Sequence, residues 1–524
     1  MNLVKYEPLE IALPDEVLNS GDVAEKSGQI TDLIKKYKDE RSIVESVVKM
    51  IESSDYHSIS HYFRTRDCDV IPPSLSIAIA NMNSSYWQKA MIITDVYKVM
   101  PQKRRDEWDK SIRENKTPDF TEDFVRSTIY DLFANRDMFY AERVRDLFDR
   151  LSRNHKTNKS EGFYKRMIFN YGLDYANTTW PSPNYSTAGY INDLRCVISK
   201  FLRRDEPNCS INLIKHCMKD YGKWFHIDAG SLKIRVYKKG TIHVEVHPEL
   251  AWRINCILNE VSENSIPAKF RSQPEVGTKF KDFVLMSKPL NFQVLDNLSG
   301  AYNKFNNQHY LSSSMDKLVK KQVIEILELL GAKFTDNTYT FDYSNHDDVV
   351  DFVKVTGCVF DYKSYQYYPT PDNVAQIAQE ELQCTSDNSL LEPSAGQGNL
   401  VKGIEYKSLD LVEISNINSM ILERTNFFST KTIHEMDFLK FAKNETRTFD
   451  RIIMNPPFSE GRVFSHIKNA FSLLNSGGRM VAIAPSSMID KLSLDGATIT
   501  YSGPFGNQFD NTSVSVVVIT ITKE

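Results

Sequence analysis

The sequence predicts a mainly helical α+β N-terminal region followed by an α/β domain built on a doubly wound sheet. Three observations predict it. Apolar positions in much of the first 205 residues recur at three- and four-residue steps, the helical period. Between 230 and 255 the period drops to two, the strand period. After 388, short apolar runs alternate with helical stretches, the pattern of a sheet wound with crossover helices. These shifts divide the chain into a helical region 1–205, an α+β region 206–335 with a basic hairpin, a connector 336–363 and a last domain 364–524.

Taken in order, the first element is an amphipathic helix from about Ser27, with Ile30, Leu33, Ile34, Tyr37, Ile43, Val44, Val47, Val48 and Ile51 on its apolar side. Further helices are expected around 85–97, 121–135, 139–151 and 191–203, with a weaker pattern near 164–171. Leu232, Ile234, Val236 and Ile242, Val244, Val246 alternate with other residues around Lys238-Lys239-Gly240, which reads as a hairpin with a basic turn. Helices follow at 248–261 and 313–330, the second closed by Gly331. In the last domain, strands are expected at 390–392, 409–413, 432–434, 451–454, 480–484, 497–502 and 513–522. Helices are expected from near Asn399 and at 463–474.

Composition narrows the class. The chain is 41% hydrophobic and 25% charged, as in an ordinary globular protein. No run of about 18 apolar residues occurs, which argues against a membrane span. The N-terminus lacks the apolar core of a signal peptide. Seven scattered cysteines with no Cys-x-x-Cys pair argue for a reducing cytosol, and no metal site is expected. A net charge of −4 advertises no nucleic-acid binding, so any such contact must come from local patches. Residues 364–524 hold 13 Lys/Arg against 18 Asp/Glu, which does not favour that domain as the main grip on DNA.

Chemistry gathers at the predicted strand ends, where open α/β sheets bind ligands. The run Leu390-Leu391-Glu392-Pro393-Ser394-Ala395-Gly396-Gln397-Gly398-Asn399 is a strand entering a small-residue loop. Its two glycines allow backbone to approach a ligand closely. It is neither a P-loop nor a full dinucleotide fingerprint. Glu413 ends the next strand, and an acid there can accept both hydroxyls of a ribose. Asp437 follows the third strand and can accept from an adenine amino group. Then Asp450-Arg451-Ile452-Ile453-Met454 stops at Asn455-Pro456-Pro457-Phe458. Neither proline can donate to a ladder, so the strand ends in a rigid corner. Asn455 brings an amide oxygen, Pro456 a backbone carbonyl and Phe458 a flat face. That set suits a planar ring bearing an exocyclic amino group.

With these motifs in this order, residues 365–524 resemble a class I S-adenosylmethionine-dependent methyltransferase, and specifically the N6-adenine DNA methyltransferases. The resemblance implies a Rossmann-like sheet and S-adenosylmethionine as cofactor. Tyr367-Tyr368-Pro369-Thr370-Pro371 resembles the family's leading motif, so Tyr368, Thr370 and Pro371 are expected against the methionine part. Glu392, Ser394, Ala395, Gly396, Gly398 and Asn399 fall in the first motif, Glu413 matches the ribose acid, and Asp437 with Phe438 the adenine contact. Asn455, Pro456, Pro457 and Phe458 match the catalytic motif. The upstream region resembles an uncharacterised domain that precedes such enzymes in phage and mobile-element proteins, which implies a bacterial or phage-infected cytoplasm. No large insertion follows the catalytic motif, so the usual C-terminal target-recognition domain is not expected.

The implied reaction is direct methyl transfer to a flipped adenine, with DNA as partner. No Pro-Cys dipeptide occurs, which sets cytosine C5 methylation aside. RNA and protein-glutamine methyltransferases share the same corner and stay open, as does a non-catalytic factor that senses the cofactor. Cationic contacts for DNA are expected upstream, foremost at Lys238 and Lys239, with Lys233 and Arg235 beside them, and second at Lys103, Arg104 and Arg105. Other basic groups lie at Lys156, Lys159, Lys165, Arg166, Arg203 and Arg204.

Overall fold

The structure is a computed structural model of the 524-residue chain. It describes residues 20–52, 74–94, 96–134, 136–152, 158, 162–163, 166–261, 266–275, 283, 285–286, 288–303, 308–359, 370–426, 430–458, 461–506 and 515–524. The chain divides into two compact units, one of residues 1–224 with 233–279 and one of 225–232 with 280–524. These divisions differ from the boundaries expected at 205, 335 and 363.

The first unit is mainly helical. Helices Ser20–Glu52, Leu75–Ile93, Gln102–Arg113, Glu122–Ala134, Arg136–Ser152 and Tyr185–Phe201 carry most of it. Ile30, Ile34 and Tyr37 of the first helix pack with Tyr86, Trp87, Met91, Phe120 and Phe139, whereas Ile43 and Val47, expected on the same side, are exposed. Helix Tyr185–Phe201 is buried almost throughout. Asn184 caps it, its side chain accepting from the Thr187 amide. It carries Asp193, fully buried, which faces the equally buried Arg143 at 3.4 Å. Burial pushes the Asp193 carboxyl up to about 6. The hairpin forms as read, from strands Leu232–Val236 and Ile242–Val246, and helix Pro248–Val261 follows it.

In the second unit the stretch expected as a connector is folded. Strand Thr338–Phe341 pairs with Ala332–Thr335 on one side and Gln308–Tyr310 on the other. Helix His346–Thr356 buries Val349, Val350 and Val353. These valines share a core with helix Lys317–Leu329 and with Ile417 and Ile421. Their three- and four-residue spacing is the physical reason the segment folds rather than links.

The dominant element is a seven-stranded sheet. Its strands are β1 (Ser389–Glu392), β2 (Ser408–Glu413), β3 (Lys431–Glu435), β4 (Phe449–Met454), β5 (Leu474–Pro485), β6 (Ala497–Phe505) and β7 (Val516–Lys523). They lie in the order β3-β2-β1-β4-β5-β7-β6. The first five are mutually parallel, whereas β7 runs antiparallel to both β5 and β6. Helices α1 (Asp372–Leu382), α2 (Asn416–Arg424), α3 (Phe438–Asn444) and α4 (Arg462–Ser472) flank it. Two apolar cores result, because successive strand residues point to opposite faces. Leu391, Ile452, Met454, Met480 and Ala482 join α3 and α4 in one core. Leu390, Ile453, Val481 and Ile483 join α1 in the other. The helix expected from Asn399 is only a single 3-10 turn, Asn399–Val401. The order reverses at β1, where β2 and β4 leave in opposite directions, so a crevice opens at the carboxyl ends of β1, β2 and β4.

Candidate active site

One pocket occupies that crevice. After β1 the chain turns through Gly396 (φ +54°) and Gly398 (φ +82°), a conformation glycine adopts without strain. The Ala395 amide donates to the Val412 carbonyl at 3.1 Å, which lays the loop across the end of β2. Glu413 closes that strand. Its Oε2 accepts from the Gly396 amide and its Oε1 from the Ser415 amide, both at 2.7 Å. Burial nevertheless pushes its carboxyl up to about 7, with the amides pulling the other way. Glu392, at the end of β1, is buried as well. Burial, and then the charge of Glu413, hold its carboxyl well above the usual range. Among the described residues its Oε2 has no hydrogen-bond partner, although Glu392 lines the pocket.

Asn455 is the first residue after β4, half-buried and facing the pocket. Its Nδ2 donates to Thr370 Oγ1 at 3.0 Å. Thr370 is itself buried and stands just before α1. In this arrangement the amide nitrogen is the end turned to Thr370. On the far wall, Asp437 caps α3 by accepting from the Lys440 amide at 3.2 Å. Beside it stand Phe438 and two residues that sequence reasoning missed, Arg462 and His466. They lie four residues apart on α4 and so share one helix face. His466 packs on the Phe438 ring at 5.3 Å. Burial pushes its imidazole down to about 4, Asp437 opposes that shift and Arg462 adds to it. The ring is therefore neutral at neutral pH, and among the described residues its buried Nδ1 has no partner.

The structure thus brings Thr370, Glu392, Ser394, Ala395, Gly396, Asn399, Glu413, Asp437, Phe438, Asn455 and Pro457 to one pocket. Pro371, Gly398, Pro456 and Phe458 do not line it. Pro371 precedes α1 as its cap residue, and Pro456 is buried. Phe458 is partly buried and packs against both apolar cores. Tyr368 lies outside the described residues, as do Lys156, Lys159 and Lys165. Leu329 and Leu330 also reach the wall from upstream, tied by Gln397 Nε2 donating to the Leu329 carbonyl at 2.8 Å.

Of the basic residues, Arg104 forks Glu142 through two bonds of 2.7 and 2.8 Å. Lys103 pairs with Asp146, and Arg105 donates to the Met100 carbonyl. That cluster is ion-paired within its own unit, with the Lys103 and Arg104 side chains still 47% and 39% exposed. Lys233 pairs with Glu245, whereas Lys238 and Lys239 are exposed. Away from the pocket, His309 Nε2 and His346 Nε2 meet at 2.7 Å beside Asp347, a hydrogen bond between the two rings. Among the described residues no helix is long and apolar enough to cross a membrane.

Residues 79–263 match the family described as a domain of unknown function (DUF4942). Among curated proteins, none matches the chain. Solved structures similar to part of it include an rRNA methylase from Streptococcus thermophilus, 11% identical over 29% of this chain and 94% of that one, with a TM-score of 0.23. SMU.1697c from Streptococcus mutans, in complex with SAH, is 14% identical over 28% of this chain and 97% of that one, with a TM-score of 0.24. A dimethyladenosine transferase from Plasmodium falciparum is 14% identical over 30% and 64%, with a TM-score of 0.26.

Proposed function

We propose that the second unit is an S-adenosylmethionine-dependent methyltransferase whose substrate is the exocyclic amino group of adenine in DNA. One observation carries this reading. One pocket at the reversal point of the sheet gathers the glycine loop after β1, the carboxylate ending β2, and Asn455 and Pro457 of the corner ending β4.

The residues present fit the cofactor. Glu392 Oε2 and His466 Nδ1 are buried on the wall without partners, and such groups cost free energy until a ligand meets them. An ammonium group suits the first and a polar ring edge the second. Glu413 would hold the ribose hydroxyls and Asp437 the adenine amino group. The cofactor supplies an electrophilic methyl group on a sulfonium.

The chain's own part is positioning and electrostatics. The Asn455 amide oxygen accepts one hydrogen of the target amino group, and the Pro456 carbonyl, which does not line the pocket in this structure, would have to reach the second. That draws the nitrogen lone pair out of the ring and aims it at the methyl carbon. With the cofactor bound, its methyl group would be supplied to this nitrogen, Asn455 holding the amino group in place while the surplus proton passes to solvent. Thr370 holds the Asn455 amide in the orientation this requires. The base must leave a duplex stack to reach the corner. The reading places the protein in the cytoplasm, where cofactor and nucleic acid meet.

The test is transfer of labelled methyl from S-adenosylmethionine to separate DNA, RNA and protein pools. Label recovered as N6-methyladenine from DNA, and lost in Asn455→Ala while cofactor affinity is retained, is the expected result. Label in RNA or glutamine alone would move the substrate. Cofactor binding with no label in any pool would overturn catalysis.

A further inference from the structure

The first unit carries an aromatic and cationic surface that the methyl-transfer pocket does not use. Leu173–Asp174 pairs antiparallel with Ser182–Pro183, a short ribbon whose tip is residues 175–181. Tyr171, Tyr175 and Trp180 sit on and beside it, exposed to 81%, 75% and 83%. Aromatic rings normally bury most of their area, and a group left in water marks a contact surface. Tyr171 and Tyr175 also hold φ at +56° and +52°, uncommon for bulky residues.

The tip is held in shape. Thr178 Oγ1 donates to the Tyr175 carbonyl at 2.6 Å, and the Trp180 amide donates back to that hydroxyl at 3.3 Å. Two backbone bonds fasten the ribbon to the turn of the basic hairpin. The Gly172 amide donates to the Gly240 carbonyl at 2.7 Å, and the Asn177 amide to the Lys238 carbonyl at 3.3 Å. Gly240 (φ +89°) permits this approach, because a Cβ there would stand 2.9 Å from the Ala176 methyl. The turn that carries the exposed Lys238 and Lys239 is thereby fastened to the ribbon, with their Nζ atoms over the Tyr221 and Tyr237 rings at 5.9 and 5.8 Å. Asp174 is the acid within the ribbon, and it accepts from Asn184.

We infer that the ribbon tip and the hairpin turn together bind an unpaired segment of nucleic acid, its bases stacking on Tyr171, Tyr175 and Trp180 and its phosphates meeting Lys238 and Lys239. Flat faces beside fixed cations are the two parts such sites combine. Duplex DNA hides its base faces and offers only the phosphates. The inference deepens the nucleic-acid substrate proposed above and rests on that reading.

The experiment is fluorescence anisotropy of the full chain with a labelled single strand, as DNA and as RNA, and with a duplex of equal length. The single strand binds more tightly than the duplex. Replacing Tyr171, Tyr175 and Trp180 together by Ala weakens single-strand binding by about tenfold or more and barely changes the duplex. Lys238→Ala with Lys239→Ala weakens both and flattens the single-strand salt slope by about 1.4. Exposed rings contribute little to folding, and unchanged thermal unfolding of the variants checks this. Gly240→Ala, which pushes the tip off the turn, lowers single-strand affinity with all five side chains intact. An aromatic variant that binds the single strand within twofold of the original, or that loses duplex binding equally, overturns the proposal. Asn455→Ala retains oligonucleotide binding, so failure of this surface and failure of methyl transfer are read separately.

Discussion

The sharpest test of the pocket is the coupling of cofactor binding to the ionisation of Glu413. In the free protein burial lifts its carboxyl to about 7. Because the folded value lies above the unfolded one, this group favours folding fully below about 4.5, and that contribution is lost as pH rises through about 7. Binding should reverse the preference. A carboxylate that accepts ribose hydroxyls and faces a cationic ligand must be ionised. At pH 6 about nine-tenths of the groups carry a proton and at pH 8 about one-tenth do. Affinity for S-adenosylmethionine should then fall about tenfold from pH 8 to pH 6, about 1.4 kcal/mol. Titration calorimetry in buffers of different ionisation heat should find about one proton released at pH 6 and few at pH 8. In Glu413→Gln the protein's share disappears and the pH dependence flattens, while titration of the ligand itself remains in both proteins. Equal proton release in the variant, or affinity that rises as pH falls, would refute the role of Glu413. Glu392, held neutral by burial and by Glu413, shares the titration, so the measured midpoint belongs to the pair.

Further outcomes follow from other contacts. Thr370→Val keeps the shape of the side chain but removes the acceptor for Asn455 Nδ2; turnover should fall by about tenfold, the equivalent of one neutral hydrogen bond, with cofactor affinity little changed in calorimetry. His466→Phe removes a buried imidazole held down to about 4. The original protein should lose stability as pH falls from about 6.5 towards 4, where the unfolded chain binds the extra proton, and the variant should lose less in urea titrations at pH 5. Arg143→Met strands the buried Asp193 carboxylate and should cost about 3–5 kcal/mol in urea unfolding, most of it recovered when Asp193→Asn is added.

The sequence by itself determined the elements whose signal is local. Alternation marked the hairpin strands Leu232–Val236 and Ile242–Val246 to the residue, and helix Pro248–Val261 as well. The paired prolines ended β4 where the pocket needs a corner. Glu413 could be read as a strand-end acid because strand and loop are adjacent in the chain. Other features depend on distant partners. Asn455 meets Thr370 across 85 positions, and nothing near either residue announces the bond. Leu329 and Leu330 became pocket wall because their helix shares a core with α2, which a stretch read as connector concealed. Phe458, expected as a stacking face, packs against the two cores, since a partly apolar corner takes the nearest apolar surface. His466 reads as one more polar residue on α4 until burial deprives its ring of partners. Tyr171, Tyr175 and Trp180 resemble ordinary loop residues, and only backbone bonds to Lys238 and Gly240 join their ribbon to the basic turn. The period of a strand or helix is written in neighbouring residues. What faces a side chain across a pocket is decided by burial and by bonds between segments, which only the folded chain brings together.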